Sequence, residues 1–259
     1  MRSGRVEPFV IGTHGALETK TVFGESKIPL RKWFIAIYLL TTCRKGISSV
    51  QLAKQVGVTP KAAWFIDHRI RKAMKQGGGQ LFGTVEVDET YVGGKEKNRH
   101  RSKRNILTQE RNLETKTPVF GILQRDGELR ADALDNVKMR TIEQKIVEHV
   151  QIGTQIHTDD FLSYDRLSKW FKREKVQHKT GEYVRNGTIH PNGIESFWAL
   201  FKRGYIGIYH WMSRKHLQRY VDEFAFRFNT VDRDFEEAFG QVVKNVSRFE
   251  QLPYEQLIA

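Results

Sequence analysis

The chain has 259 residues, of which 39% are hydrophobic and 28% charged, and this composition is typical of a folded globular protein rather than of a disordered or fibrous one. A single cysteine, Cys43, excludes an internal disulfide and a thiolate-rich zinc site. The 43 Lys and Arg exceed the 30 Asp and Glu and give a net charge of +13, as expected for a protein that binds polyanions.

No uninterrupted apolar run is long enough to span a bilayer, and the first residues lack the apolar segment of a signal peptide. We therefore expect no membrane partner and a cytoplasmic, nucleoid-associated protein. Residues 1–80 contain 14 Lys or Arg against 4 Asp or Glu, whereas residues 81–259 contain 29 against 26. The front of the chain is thus the predicted polyanion-binding part, although a solvated basic surface has the same composition.

Helical periodicity dominates the segment that ends near residue 80. It predicts a helix over Leu30–Thr42, a short helix over Ser49–Val56, and a further helix that Thr59 caps and Pro60 begins. Because Gly57 supplies the turn between the last two, the pattern is that of a helix-turn-helix, with an ordinary helical hairpin as the alternative. The glycine-rich stretch 76–80 predicts a flexible joint and a domain boundary.

The second helix of this pair carries the basic side chains that we expect to contact DNA phosphates. In the same helix, Trp64, Phe65 and Ile70 are expected to face inward. The predicted phosphate contacts are Lys61, Arg69, Arg71 and Lys72.

From Leu81 onward the periodicity is that of strands alternating with helices. Three strands are predicted within residues 83–94, 117–127 and 128–137, followed by a helix (Met139–Val150), a strand (Thr154–Thr158), a helix (Tyr164–Phe171), a strand (Glu174–His178) and a helix that begins near Asn192. This succession predicts the α/β class, with a mixed sheet flanked by helices. After Asn229 the sequence predicts one amphipathic helix, Phe235–Val246, and a frayed end.

Three acidic residues occupy positions that such a sheet would bring together. Asp88 lies within the first strand, Asp159 follows the strand TQIHT, and Glu195 lies in the first turn of the helix after PNG. Carboxylates that converge in a basic protein need a cation, and Mg²⁺ or Mn²⁺ prefers oxygen ligands. Two such ions would suit attack on a phosphodiester.

Each acid also has a structural explanation that involves neither catalysis nor a metal ion. Asp88 would be a surface acid at a strand end, with Glu86 on the same face. Asp160 competes with Asp159 as the second ligand, since spacing does not separate them. Asn192 and Glu195 form a capping box, Asn as N-cap and Glu three residues on, which by itself needs no metal.

Three ordered blocks of the sequence resemble a known family. They read VEVDETYVGGKEKNRH, IHTDDFLSYDRL and HPNGIESFWALFKRGYIGIYHWMSRKHLQRYVDEFAFRFN. They are similar to the IS1595 (ISXO2-like) insertion-sequence transposases of the DDE superfamily, over about Ser26 to Asn229. The resemblance implies an RNase H-like fold, a divalent metal, and DNA strand cleavage and strand transfer at the ends of a mobile element.

The resemblance also assigns roles to residues. Asp88, Asp159 and Glu195 match the three acids, Asn192 is a substitute for the third, and Lys202 matches the basic residue that accompanies the third acid and would grip a phosphate. The cysteine-rich zinc ribbon of many relatives is absent from the 25 residues before the matching segment, so we expect either that the module is lost or that the chain begins late.

These observations predict four segments: a lead segment (1–28), a helix-turn-helix-like region (29–80), an RNase H-like catalytic domain (81–230), and a C-terminal helix and tail (231–259). The expected partner is double-stranded DNA, both element ends and target, bound by a homo-oligomer. The alternatives are a DNA-binding protein that has lost catalysis and a nuclease without strand transfer.

Further DNA contacts are expected outside the front of the chain. Four aromatic residues are candidates for stacking on unpaired bases, although Trp198 is expected to be buried instead. The basic contacts are Arg203 and, in the loop between the first two strands, Arg99, Arg101 and Arg104; the aromatic candidates are Trp198, Tyr205, Tyr209 and Trp211.

Overall fold

The computed structural model describes residues 21–24, 26–94, 116–158, 162–175, 192–246 and 252–258. The chain forms two compact units. The first unit combines Met1–Thr42, Ser49–Met74 and Asp234–Ala259, and the second combines Cys43–Ser48 and Lys75–Arg233. None of the helices in these described ranges is long and apolar enough to cross a bilayer.

The elements follow one another in this order: α1 (Leu30–Thr42), α2 (Ser49–Val56), α3 (Pro60–Met74), β1 (Thr84–Val92), β2 (Thr117–Gln124), β3 (Leu129–Ala133), α4 (Met139–His149), β4 (Gln155–Thr158), a 3₁₀ helix (Leu162–Lys169), β5 (Lys172–Lys175), α5 (Asn192–Gly204), a π-helical turn (Tyr205–Tyr209), a 3₁₀ turn (Arg214–His216), α6 (Leu217–Asn229), α7 (Phe235–Val246) and α8 (Tyr254–Ile258). The boundaries predicted for α1, α2 and α7 agree with these.

The first unit is helical, and α1, α2, α3 and α7 pack around a shared core. Thr59 caps α3, because its Oγ1 accepts the Ala62 N–H at 3.2 Å. Gly57 adopts a φ of 69°, the left-handed conformation that a glycine tolerates best, and makes the turn between α2 and α3. The helix-turn-helix pattern of the sequence is therefore present as two helices joined by a three-residue turn.

The C-terminal segment belongs to this helical unit. Phe235 of α7 packs edge-on against Tyr38 of α1, with ring centroids 5.1 Å apart, and Asn245 Nδ2 donates to the Ala73 carbonyl of α3 at 2.9 Å. The sequence predicts a frayed end after α7, but the structure has the further helix α8, whose Leu257 is buried. Residues 234–259 thus complete the first unit instead of forming a separate tail.

The second unit is a five-stranded mixed sheet of order β3-β2-β1-β4-β5. Strands β1, β2 and β3 are antiparallel neighbours, and β4 and β5 run parallel to β1. This is the RNase H-like arrangement that the resemblance implies. Helix α4 and the first 3₁₀ helix cover one face, and α5 and α6 cover the other.

Two predicted elements of this unit differ from the structure, and one element was not predicted. Strand β5 begins two residues before the predicted Glu174, and the segment predicted as the helix Tyr164–Phe171 is a 3₁₀ helix at Leu162–Lys169. Helix α6 was not predicted as a separate element, although its apolar residues recur at helical spacing: Leu217, Tyr220, Val221 and Phe224 are all buried.

Candidate functional site

Strand β1 divides its side chains between the two faces of the sheet. Val85 and Val87 join the core beneath α4, whereas Glu86, Asp88 and Thr90 point to the face that α5 covers. Two acidic side chains of one strand therefore lie under the helix that carries Glu195.

Asp88 is half-buried and is held by a helix that packs on the sheet. The Trp198 indole of α5 donates its Nε1–H to Asp88 Oδ2 at 3.0 Å, and Trp198 is only 4% exposed, which confirms its predicted burial. The indole has room there because residue 121, the strand partner of Asp88, is a glycine: a Cβ on Gly121 would lie 2.8 Å from Trp198 Cζ2. The bare backbone at Gly121 thus allows Trp198 to reach Asp88.

Glu195 lies one helical turn before Trp198 and is exposed. Successive residues of a helix are about 100° apart around its axis, so Glu195 and Lys202 lie on nearly the same side of α5. This side is adjacent to the one that carries Trp198. Lys202 is also exposed, two turns beyond Glu195, as the sequence predicts. Asn192, the substitute for Glu195, is the first residue of α5, and its side chain lies outside the described part of the structure.

A second acid of β1 fixes the beginning of α5. Glu86 is 2% exposed; its Oε2 accepts the Ile194 N–H at 3.2 Å, and its Oε1 accepts Arg125 Nε at 3.0 Å. Because the first N–H groups of a helix lack intrahelical partners, this carboxylate ties α5 to the sheet. From the sequence, Glu86 was predicted only to share a strand face with Asp88. Its position among buried strand residues was the signal that could have indicated a structural role.

The polar contacts continue from Glu86 into the parallel strands. Arg125 also meets the buried His157 of β4, with Nη2 and Nδ1 3.3 Å apart, and His157 is the strand partner of Glu86. Strand β4 ends at Thr158, so Asp159 and Asp160, the candidates for the second acid, lie directly after it and outside the described residues. Of the three predicted acids, the structure thus describes Asp88 and Glu195.

Within the described ranges, no group of three or more His, Cys, Asp or Glu is arranged to hold a metal ion. The donor chemistry of the two described acids nevertheless fits Mg²⁺ or Mn²⁺, since both ions are hard and prefer carboxylate oxygens. Asp88 and Glu195 are therefore compatible with the expected ions, and Asp159 or Asp160 would be needed to complete the ligand set.

A cleft of about 440 Å³ opens beside this face of the sheet, between the end of β1 and the end of α5. Thr90, two residues beyond Asp88, lines it together with Lys116, Lys202, Tyr205 and His210. Tyr205 is protonated at neutral pH, and burial raises its pKa further above the usual value of 10. The cleft thus offers cationic and hydroxyl groups next to the Asp88 strand.

The wall of the cleft contains an irregular stretch of helix. After Gly204 the helix widens into the π-helical turn Tyr205–Tyr209, and His210 ends it with a φ of 56°, rare for a residue with a side chain. Tyr209 anchors the turn from behind by donating its O–H to Glu223 Oε1 at 2.7 Å.

The anchor of the turn is itself a buried ion pair. Glu223 pairs with Arg227 one turn along α6, and both side chains are almost fully buried. Burial opposes the charge on Arg227, but the Glu223 carboxylate and Tyr209 outweigh it and raise the pKa of Arg227. The π-helical turn therefore rests on a fixed polar support.

The predicted phosphate contacts of α3 divide into two groups. Lys61 is exposed at the start of the helix, its ammonium 4.8 Å from the centre of the Tyr254 ring, and Lys72 is half-buried. Arg69 and Arg71 are each only 1% exposed, so the prediction that they contact phosphates is wrong.

The reason is that nearly every residue in the second half of α3 is buried. Arg69 donates to three backbone carbonyls there, those of Val22 at 2.7 Å, Gly24 at 2.8 Å and Leu252 at 2.9 Å. Of the other predicted DNA contacts, Arg203 is exposed on α5, and Arg99, Arg101 and Arg104 lie outside the described residues. The exposed basic candidates of the described chain are thus Lys61, Lys202 and Arg203.

Comparison with known proteins gives matches along most of the chain. Residues 80–229 match the ISXO2-like transposase domain. The chain is 31% identical over 236 residues to an uncharacterized protein in transposable element ISH50 of Halobacterium salinarum, covering 88% of this chain and 79% of that protein.

Solved structures that resemble the chain include two Mos1 complexes. The Mos1 strand transfer complex is 15% identical, covers 86% of this chain and 78% of its own, and has a TM-score of 0.33. The Mos1 transposase paired-end complex with the left transposon end is 14% identical, covers 87% and 82%, and has a TM-score of 0.32.

Proposed function

Because the chain belongs to the family of ISXO2-like transposases, we propose that it cleaves DNA at the ends of a mobile element and joins those ends to target DNA. One observation carries the proposal. Helix α5, which covers one face of the sheet, contacts Asp88 through Trp198, and the same helix carries Glu195 one turn before Trp198. The relative whose name places it in a transposable element supports DNA ends as the substrate.

Each site residue has a defined task in this reaction. Asp88, Glu195 and an acid directly after β4, Asp159 or Asp160, would hold two divalent ions. When bound, these ions lower the pKa of the attacking water, and later of the 3′-hydroxyl, and stabilise the departing 3′ oxygen. Trp198 fixes one oxygen of Asp88, and Glu86 fixes the start of the helix that carries Glu195, so Asp88 is oriented and α5 is positioned before DNA arrives.

The basic residues meet the charge of the DNA backbone. Lys202 lies two turns from Glu195 on the same flank of α5 and would bind the phosphate next to the scissile bond. Lys61, at the exposed start of α3, would contact duplex DNA, since recognition helices place their N-terminal residues in the groove. Cleavage and joining act on two ends together, so a homo-oligomer on DNA is the expected assembly.

The test is metal-dependent nicking of DNA that carries the element ends. With Mg²⁺ or Mn²⁺ the wild type should nick at the ends, and Asp88→Asn should lose at least about 10³-fold of this activity while binding the same DNA. The matched control is Glu148→Gln, which changes an exposed carboxylate of α4. If Asp88→Asn nicks as fast as this control, Asp88 is not part of the reaction and the proposal fails.

The same assay separates the proposal from its alternatives. Joined products with a target plasmid indicate strand transfer, whereas nicks without joined products indicate a nuclease. Binding without nicking by the wild type indicates a DNA-binding protein that has lost catalysis.

A further inference from the structure

Two large apolar side chains are exposed beside the cleft. Ile206, in the π-helical turn, is 68% exposed, and Trp211, just after it, is 62% exposed. A Cβ on Gly94, which lines the cleft, would lie 3.5 Å from Trp211 Cζ3, so the indole stands at the rim. Apolar groups exposed next to a concave surface are typical of binding sites.

The exposure of these side chains is imposed by the backbone. The wide π-helical turn projects Ile206 outward, and the left-handed conformation of His210 directs the chain into Trp211. Such irregular turns and positive φ values are costly and occur preferentially at functional sites. The partly buried Tyr209–Glu223 hydrogen bond holds this turn in place, so the two side chains are presented on a rigid support.

The charges around the cleft identify the class of ligand. Lys116 and Lys202 line it, and Arg203 is exposed on the adjoining turn of α5. An aromatic ring beside a cationic groove is the combination that binds single-stranded nucleic acid, because the ring stacks on a base while the cations meet phosphates. Duplex DNA, with its bases already stacked, has no free base face for Trp211.

We propose that this cleft binds an unpaired nucleotide of a DNA strand, with its base on Trp211 and Ile206 and its phosphate near Lys116 and Lys202. The inference rests on the proposed function and adds a single-strand subsite to it. Thr90 lines the cleft and follows Asp88 by two residues, roughly 7 Å along the strand. The bound nucleotide would therefore adjoin the one that is cut.

The experiment measures binding without metal, so it does not depend on catalysis. Full-length protein is titrated into a labelled oligothymidylate and into a duplex of equal length. Trp211→Ala should weaken single-strand binding about tenfold, from the loss of one stacked base, and duplex binding less than about twofold. The matched control is Trp170→Ala, which removes another exposed tryptophan of the same unit, 46% exposed.

Trp211→Phe provides an independent reading, since phenylalanine still stacks. Its affinity for the oligonucleotide should stay within about threefold of the wild type. The difference between wild-type and Trp211→Phe fluorescence reports Trp211 alone, and saturating oligonucleotide should quench it. Equal loss for single strand and duplex in Trp211→Ala, unchanged single-strand affinity, or an unquenched Trp211 signal would each overturn the subsite.

These outcomes are separable from those of the nicking assay. A wild type that does not nick, with Trp211-dependent binding of the oligonucleotide, refutes the proposed function and supports the subsite. If the wild type nicks DNA and Trp211→Ala binds the oligonucleotide as tightly as the wild type, the function is supported and the subsite is refuted.

Discussion

One added methyl group at Gly121 should separate helix α5 from the sheet. An alanine Cβ there would lie 2.8 Å from Trp198 Cζ2 and 3.1 Å from Ile194 Cδ1, whereas ordinary contacts are 3.4–4 Å. Both contacted side chains belong to α5, and both are almost fully buried, so neither can swing into solvent. The helix must therefore move away from β2 by several tenths of an ångström.

The expected cost follows from what overpacked cores lose. Gly121→Ala should reduce the free energy of unfolding by about 1–3 kcal/mol, which corresponds to a fall in Tm of about 4–8 °C for a loss of 2 kcal/mol in a unit of this size. Since a displacement of 1 Å can cost about 10²-fold in rate, nicking should fall by about tenfold or more. Thermal unfolding and the nicking assay measure the two effects.

The control and a second variant make this reasoning refutable. Gly79→Ala adds a methyl with nothing within 4 Å and should leave Tm unchanged or slightly higher. In the double variant Gly121→Ala/Trp198→Phe, the smaller ring removes the clash, so the two changes should cost less together than the sum of their separate costs. A Gly121→Ala protein as stable as the wild type, or strictly additive costs, would show that α5 does not rest on Gly121.

Three further substitutions test charged groups, two of them removed from solvent and one exposed. Burial raises the pKa of Asp222 to about 6 from 3.8, so the native state gains protons relative to the unfolded chain between these values and loses stability as the pH rises through them. Asp222→Asn should therefore be about 1–3 kcal/mol more stable than the wild type at pH 7.5, with the difference vanishing near pH 4 in urea titrations; a difference that grows toward acid pH would contradict this sign. Arg69→Gln should lower the free energy of unfolding by about 3 kcal/mol or more, because three buried carbonyls lose their donor. Lys61→Ala should change the free energy of unfolding by less than about 0.5 kcal/mol and instead reduce the salt dependence of DNA binding. If Lys61→Ala lowers stability and Arg69→Gln reduces the salt dependence, Arg69 and not Lys61 contacts DNA.

Local signals in the sequence were sufficient for much of the fold. Thr59 and Pro60 mark the start of α3, and Gly57 marks its turn, because capping and left-handed backbone depend on neighbouring residues only. The alternation in β1 likewise placed Glu86 and Asp88 on one face. These patterns did not predict the strand order, and the family resemblance implied only an RNase H-like fold.

Long-range packing explains what the sequence did not reveal. The burial of Arg69 depends on carbonyls from both ends of the chain, 47 and 183 residues away, and no helical pattern of α3 contains them. The capping of α5 by Glu86 spans 108 residues and is invisible to a search for local capping boxes. The same holds for Gly121, whose missing side chain matters only because Trp198 packs there.

The helical unit is assembled from segments on both sides of the sheet unit in the chain. On a ribosome the strands and helices of residues 75–233 emerge before α7 exists, so the sheet unit has all its residues while α1 and α3 still lack a neighbour. Closure of the helical unit therefore follows the synthesis of the sheet unit. A nascent chain released before α7 would carry Asp88 and Glu195 on a finished sheet, yet its helix-turn-helix would lack the packing of α7.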